Sequence, residues 1–148
     1  MTRSLPLADH RPPLLTTTAE YALRALVELA SSPPAQAIRA ADLAVRTSVP
    51  EAYLSKVLRR LVSKGFLHGT RGRGGGFMLA RPATRITFLE VLTAVDSEPS
   101  SNRCVFGRPK CSDKNPCPLH PAWKKVREAF IDWAQTTTLA DVATGSRR

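Results

Sequence analysis

The chain has 148 residues, of which 43% are hydrophobic, and this is enough for one globular domain with a sizeable apolar core. Its 22 lysines and arginines outnumber its 12 acidic residues and give a net charge of +10, which favours a polyanionic partner such as nucleic acid or an anionic membrane surface. No apolar run approaches the roughly 18 residues of a membrane-spanning helix. The N-terminal stretch MTRSLPLADHRPPLL also lacks the features of a signal peptide. We therefore expect a cytoplasmic protein with a flexible extension over residues 1–15.

The first predicted helix spans residues 17–30, TTAEYALRALVELA, whose apolar side chains recur every three or four positions. The prolines of SSPP end it. Thr17 and Glu20 have the spacing of a capping box, in which each side chain bonds the backbone amide of the other residue. A short second helix is predicted near residues 40–46, and a tight turn leads from it into a third helix.

The third predicted helix, residues 50–64, has two chemically different faces. Leucines and valines form an apolar stripe, Gly65 ends the helix, and Ser48 with Glu51 has the spacing of a second capping box. A helix in the major groove of DNA needs an apolar face for anchoring and a polar face for contacts to bases. We predict base or phosphate contacts from four residues of the polar face: Tyr53, Ser55, Lys56 and Arg59. A solvated basic face, which is common on any helix, is the alternative.

Two short apolar runs, FLH and FMLA, flank the segment GTRGRGGG and predict a β-hairpin with a long basic tip. Arg71 and Arg73 lie between glycines in this tip, which allows a close approach to DNA and suits a narrow minor groove. A phosphate-binding loop is rejected, because no GK[ST] follows and the next element is a strand rather than a helix.

A fourth helix is predicted after the hairpin, and Thr87 with Glu90 supplies a third capping box at its start. The order helix, helix, helix, hairpin, helix is that of a winged helix-turn-helix. The predicted fold is therefore mainly α with a small β-hairpin wing, and residues 16–96 form the DNA-binding domain.

The last predicted helix begins near Pro121 and carries large apolar residues at spacings of three and four, as in a coiled coil. These residues are Trp123, Val126, Phe130 and Trp133. The helix could pack on its own domain, but two tryptophans on a terminal helix form a large apolar surface, so we expect a homodimer. Residues 121–148 are thus predicted to form a dimerisation helix and a C-terminal tail.

All three cysteines lie in one proline-rich loop, which we assign to residues 97–120. An odd number of clustered cysteines in a reducing compartment favours a metal centre over disulfides. The spacing C-x6-C-x5-C-x2-H identifies four candidate ligands: Cys104, Cys111, Cys117 and His120. Three thiolates and one imidazole suit zinc or an iron–sulfur cluster, and the spacing does not decide between them.

With these motifs, the chain resembles the bacterial winged-helix regulators of the IscR/NsrR family. The likeness runs through EYALRAL, YLSKVLRRLVSKGFL, RGRGGGFML, ITFLEVLTAVD, the cysteine loop and TTLADV. Members of the IscR type bind a two-iron, two-sulfur cluster through three cysteines and a histidine, and CPLHPAW resembles that arrangement. The resemblance therefore implies such a cluster on the four candidate ligands, although the first cysteine gap is one residue longer than in the family pattern.

The same family implies an alternative fourth ligand. NsrR-like members take a carboxylate from the first helix of the other subunit, and Glu20 occupies that place. A four-iron, four-sulfur cluster or a different two-iron geometry would then be the expected group. The competing interpretation of Glu20 is its capping box with Thr17.

The resulting hypothesis is a homodimeric transcriptional regulator that binds promoter DNA. Its DNA affinity or site preference would be set by an iron–sulfur cluster that senses redox state, nitric oxide or cluster supply. The alternative is the same DNA-binding module with a structural Cys3His zinc and no sensing role. An enzyme is disfavoured, because three histidines and no nucleophile–base arrangement offer little for catalysis. A metal-free regulator controlled by a partner protein is disfavoured by the complete ligand set.

Overall fold

The computed structural model describes residues 15–95, 104 and 106–145. Nearly all of the predicted N-terminal extension, residues 97–103 and 105 of the cysteine loop and the last three residues of the tail lie outside the described residues. The described elements are α1 (Thr17–Ser31), α2 (Ala40–Thr47), α3 (Glu51–Ser63), β1 (Leu67–Thr70), β2 (Gly76–Leu79), a 3-10 turn (Ala83–Arg85), α4 (Phe88–Val95), α5 (His120–Thr136) and α6 (Leu139–Gly145). Their order confirms the predicted winged helix-turn-helix. None of these helices is long and apolar enough to cross a lipid bilayer.

Helix α1 lies at the centre of the fold, and α2, α3, α4 and α6 pack against it. Three of its buried residues, Ala19, Ala22 and Ala25, are small and fully buried, which lets neighbouring helices approach closely. Large aliphatic side chains fill the space between the helices. The largest fully buried ones are Leu26, Leu43, Leu54, Leu58, Leu61, Leu67, Ile86, Val91 and Leu139.

The predicted capping box at the start of α1 is wrong. Thr16, not Thr17, is the N-cap residue, and its side-chain oxygen accepts a hydrogen bond of 3.1 Å from the amide of Ala19. Thr17 is already the first helical residue, so it cannot adopt the extended backbone that a cap requires. Glu20 instead lies 4.0 Å from Arg24 in a half-exposed ion pair, which contributes little to stability.

The other two predicted boxes have opposite outcomes. Ser48 has a left-handed backbone, with φ of 56°, and is the C-cap residue of α2. The N-cap residue of α3 is Pro50, which makes no side-chain capping bond. The predicted capping box of Ser48 and Glu51 is therefore wrong. The capping box of Thr87 and Glu90 is confirmed. The Thr87 amide donates to the Glu90 carboxylate at 2.9 Å, and the Glu90 amide donates to the Thr87 hydroxyl at 3.3 Å. The hydrogen bond from the Thr87 amide is the main reason that the pKa of Glu90 lies below its ordinary value.

The hairpin of β1 and β2 is antiparallel, with Leu67 opposite Leu79. A third chain segment joins it at one residue: the amide of Phe77 donates to the Ile38 carbonyl at 2.8 Å, and the amide of Ile38 donates back at 2.9 Å. This bridge was not predicted, because a single residue pair leaves no periodic pattern. It ties the hairpin to the segment that leads into α2.

The predicted C-terminal tail contains a further helix, α6, which returns to pack on α1. Thr138 and Asp141 form a capping box at its start, with bonds of 2.8 and 3.3 Å, and hydrogen bonds from Thr138 lower the pKa of Asp141. Just before it, the Thr137 carbonyl accepts a bond of 2.9 Å from the amide of Phe88, and Leu139 is fully buried. The C-terminal segment is thereby attached to the winged-helix domain.

Candidate functional site

Helix α3 has the two faces that its sequence predicted. The apolar stripe is buried: Leu54, Val57, Leu58 and Leu61. On the opposite side Lys56 and Arg59 are exposed and Ser55 is half-buried. Within the described residues neither Lys56 nor Arg59 forms an ion pair. Two basic side chains on one exposed helix face are therefore available for an anionic partner.

Tyr53 is more constrained than the other predicted DNA contacts. Its hydroxyl lies 2.5 Å from the hydroxyl of Thr18, and its ring meets the ring of Tyr21 edge-on with 5.3 Å between centroids. The side chain remains 40% exposed. Tyr53 thus fixes α3 against α1, and only its outer edge is open to a partner.

The end of α3 leads into the wing through a tight turn. Gly65 has φ of 84°, a backbone conformation that glycine adopts without strain, and the amide of Phe66 bonds back to the Leu61 carbonyl at 3.0 Å. The Phe66 ring is buried, and the guanidinium of Arg81 lies 5.0 Å from its centroid. This geometry holds the base of the hairpin at the end of α3.

The wing tip presents two exposed arginines. Arg71 and Arg73 alternate with Gly72 and Gly74, whose φ values are 88° and 72°. The amide of Gly75 closes the turn by donating to the Gly72 carbonyl at 3.0 Å. In the part of the chain that the structure describes, no acidic side chain pairs with either arginine.

The three cysteines are free thiols, and two of them, Cys104 and Cys117, are buried. Burial by itself raises the pKa of the Cys104 thiol. Hydrogen bonds from two backbone amides and from Cys117 outweigh this effect, so the pKa lies below its ordinary value. The two amides belong to Arg108 and Phe106. Cys104 and Cys117 therefore form one pair of candidate ligands.

The other two candidate ligands form a second pair. The sulfur of Cys111 lies 3.2 Å from Nδ1 of His120, which is buried. On the other side of the ring, Nε2 lies 2.7 Å from Oδ1 of Asp113. Lys124 donates to both oxygens of Asp113 at 3.1 and 3.0 Å. The hydrogen bond from His120, and then the bond and charge of Lys124, lower the pKa of Asp113.

Arg108 closes the cysteine loop, and sequence reasoning gave it no such role. Its Nη1 donates to the Asn115 carbonyl at 2.9 Å, to the Asn115 side-chain oxygen at 3.0 Å and to the Pro116 carbonyl at 3.2 Å. It also places a positive charge beside Cys104. A long loop with four prolines and one glycine gives no periodic signal from which these contacts could be predicted.

The donor set fits a thiophilic metal or an iron–sulfur cluster, because thiolates and imidazole are the ligands that such groups prefer. The structure brings the four candidates into one segment as two hydrogen-bonded pairs. Among the described residues, no three His, Cys, Asp or Glu side chains converge on a single point where one ion could bind. Glu20, on α1, belongs to no such group either.

Helix α5 divides the four predicted dimer contacts between two faces. Phe130 packs against the core of its own domain, and Trp133 meets the ring of Phe88 edge-on at 5.5 Å. Trp123 is half-buried, whereas Val126 is 55% exposed. Part of the predicted dimer seam, namely Phe130 and Trp133, therefore packs on its own domain.

A different apolar stripe faces outward from α5. Leu119, Val126 and Trp133 are 46, 55 and 41% exposed and lie seven positions apart, and Ala122 and Ala129 are exposed between them. The resulting spacing of three and four is that of a coiled-coil seam. We call these five residues the outer stripe.

A family profile identifies the chain. The profile of the Rrf2 family, described as iron-dependent transcriptional regulators, matches residues 15–145. The chain belongs to the Rrf2 family of transcriptional regulators. An HTH-type transcriptional regulator of Mycobacterium tuberculosis is 34% identical to this Rrf2 protein over 133 residues, which cover 89% of this chain and 82% of the relative. The regulator IscR of Yersinia pestis is 30% identical over 128 residues, which cover 86% of this chain and 77% of the relative.

Solved structures share the fold of this Rrf2 protein. CymR, the global cysteine regulator of B. subtilis, superimposes with a TM-score of 0.76 at 22% identity and covers 90% of this chain and 98% of its own. IscR of T. potens gives a TM-score of 0.73 at 22% identity and covers 90% of this chain and 88% of its own. These structures show that the fold is the winged helix. The family match and the relatives, which are named as transcriptional regulators, make this Rrf2 protein a DNA-binding regulator rather than an enzyme.

Proposed function

We propose that this Rrf2 protein is a cytoplasmic homodimer whose affinity or site preference for promoter DNA is set by an iron–sulfur cluster. The observation that carries the proposal is the position of the four candidate ligands, which occupy one segment ending at the first residue of α5. His120 begins this helix, and Cys111 lies against its ring. The family description as iron-dependent regulators supports iron over zinc.

Cys104, Cys111, Cys117 and His120 would hold a two-iron, two-sulfur cluster, which supplies a redox-active and nitric-oxide-reactive group. Because His120 belongs to α5, a change at the ligands would reach that helix directly. Helix α5 packs on α4, and α4 packs on both α1 and α3. We infer that this chain of contacts links the ligand segment to the DNA-binding surface.

Anaerobic purification followed by an absorption spectrum and by iron and sulfide analysis tests the proposal. We expect a coloured protein with equal amounts of iron and acid-labile sulfide, and about two of each per chain. A colourless protein with stoichiometric zinc would support the structural-zinc alternative and contradict ours. About four of each per chain would favour the larger cluster, with Glu20 as the alternative ligand.

On DNA, we propose that α3 enters the major groove and that the wing reaches the adjacent minor groove. Ser55, Lys56 and Arg59 face outward from α3, and Arg71 with Arg73 occupies the wing tip. The outer edge of Tyr53 completes the contact surface. Their exposure and the absence of described ion pairs at the arginines and Lys56 support this arrangement.

Substitutions in the wing and in α3 should therefore change DNA binding in different ways. We expect Arg71→Ala and Arg73→Ala to weaken binding to specific and random duplexes alike. Each should also reduce the slope of log affinity against log salt concentration by about one, the loss of one phosphate contact. We expect Lys56→Ala and Ser55→Ala to lose roughly 1–3 kcal/mol on the preferred sequence only. Titrations at several salt concentrations measure both effects.

Lys125→Ala, which removes an exposed positive charge from α5, serves as the control and should leave affinity nearly unchanged. Equal losses on specific and random DNA for all four variants would contradict this division of labour.

For the homodimer, we propose that the outer stripe of α5 faces the same stripe of a second copy, with Val126 at its centre and Trp133 at its C-terminal end. The two alanines of the stripe let the helices approach closely. Trp123 and Phe130, the other predicted contacts, would support the interface from behind, since Phe130 packs on its own domain.

Val126→Glu should convert the dimer to a monomer without unfolding it. The side chain is 55% exposed within the chain, but in the dimer an unpaired carboxylate would be buried, which costs roughly 2–5 kcal/mol. Phe130→Ala should instead lower the melting temperature, because the partly buried ring packs against the domain core. Sedimentation and thermal unfolding measure the two effects.

Gln135→Glu adds the same charge on another exposed part of α5 and is the control for Val126→Glu. An unchanged dimer in Val126→Glu would move the interface elsewhere.

A further inference from the structure

Asp113 makes contacts that neither the cysteine spacing nor the fold requires. Its side chain is 70% exposed, yet one oxygen bonds the buried ring of His120 at 2.7 Å and both oxygens bond Lys124. Lys124 lies one helical turn after His120 on α5, so the helix fixes the distance between the two partners of Asp113. The carboxylate is thereby attached to α5 at two points.

This attachment indicates which ring nitrogen of His120 is left to bind a metal. An ionised carboxylate only accepts hydrogen bonds, and a neutral imidazole has one donor and one acceptor nitrogen. With Asp113 ionised and the ring neutral, the contact of 2.7 Å makes Nε2 the donor nitrogen. Nδ1 is left with its lone pair directed toward the sulfur of Cys111, at 3.2 Å. A histidine binds a metal through its unprotonated nitrogen.

We propose that Asp113, held by Lys124, is a positioning residue that orients His120 so that Nδ1 faces the iron–sulfur centre. The inference rests on the proposed function, because it concerns the ligand set of that cluster. Carboxylates commonly perform this role behind metal-bound histidines, where they fix the tautomer and the ring orientation. An ordinary exposed ion pair between Asp113 and Lys124 would not involve the buried ring, which is 6% exposed.

The first measurement uses the cluster-free protein and no variant. Nitrogen-15 chemical shifts of the His120 ring at mildly alkaline pH should show a protonated Nε2 and an unprotonated Nδ1. In Asp113→Ala we expect a mixture of tautomers. An unprotonated Nε2 in the unaltered protein would overturn the proposal directly.

The second measurement uses the cluster-loaded protein. Asp113→Ala should accelerate cluster loss to an iron chelator by roughly 10–100-fold, the usual effect of removing such a partner. It should also change the histidine nitrogen coupling in the electron paramagnetic resonance spectrum of the reduced cluster. Asp113→Asn should restore most of the lifetime, because its side-chain oxygen still accepts from Nε2. Asp132→Asn, which removes an exposed carboxylate from a later turn of α5, is the control.

The outcomes separate this inference from the proposed function. If the unaltered protein binds no cluster, the proposed function fails and this inference fails with it. If it binds a cluster, but Asp113→Ala keeps the same lifetime and nitrogen coupling, only the role of Asp113 is refuted. Loss of the cluster in Asp113→Ala and Asp113→Asn alike would also refute it, since orientation by an oxygen acceptor would then not be the cause.

Discussion

Replacing Cys117 with alanine is expected to abolish the visible absorption of the purified protein while leaving a folded protein that still binds DNA. The thiolate is one of the proposed cluster ligands, and Ala offers no donor in its place. None of the three cysteines belongs to the described hydrophobic core, so the domain should keep its fold without the cluster. We expect a changed DNA affinity or site preference rather than a loss of binding, and the same result for Cys104→Ala and Cys111→Ala.

Absorption, iron content, thermal unfolding and DNA titration together measure this result. Ser112→Ala is the matched control, because Ser112 follows Cys111 directly and the described contact of its hydroxyl is a bond accepted from the Lys114 amide. A Cys117→Ala protein that keeps its colour and its iron would contradict the ligand assignment.

The fourth ligand can be identified by the same measurements. His120→Ala should lose the cluster or make it unstable, whereas His120→Cys should retain it at a lower reduction potential, since thiolate donates more charge than imidazole. Glu20→Gln should keep the cluster, because the described contact of Glu20 is a long, half-exposed ion pair with Arg24. If Glu20→Gln bleaches the protein and His120→Ala does not, the carboxylate is the fourth ligand.

Gly76→Ala is expected to destabilise the DNA-binding domain by roughly 2–4 kcal/mol, through backbone strain and overpacking. Its φ is 147°, and an added Cβ would lie 2.5 Å from the carbonyl carbon and oxygen of Ile38. Both obstacles are backbone atoms and cannot rotate away. The bridge between Ile38 and Phe77 would have to open, and the wing would lose its attachment to α2.

Chemical denaturation measures the loss of stability, and DNA titration measures the effect on the wing. Gly72→Ala is the matched control: its φ is 88°, but no atom lies within 4 Å of the added Cβ, so only the cost of the left-handed backbone remains, roughly 1 kcal/mol. Equal losses in the two variants would show that contact with Ile38 is not the cause.

The sequence by itself was sufficient for the periodic elements and the motifs made of consecutive residues. The stripe of Leu54 and Leu58 predicted the buried face of α3, and GTRGRGGG predicted the wing. The box of Thr87 and Glu90 was also predicted correctly. In these elements the residues that interact lie close together in the chain, so each signal is local. The cysteine spacing placed four candidate ligands in one segment, and their role as ligands stays a prediction.

Features that depend on distant residues were decided by the tertiary structure. In the run TTT at the start of α1, three threonines could cap the helix, and only the backbone conformation selects Thr16. On α5, two stripes with spacings of three and four overlap. Phe130 packs against the core and Trp133 against Phe88, which leaves Val126 outside. The contact between Asp113 and His120 joins a loop to a helix and has no period at all. Local periodicity determines which faces a helix has, but the neighbour that buries a face is chosen only when the whole chain packs.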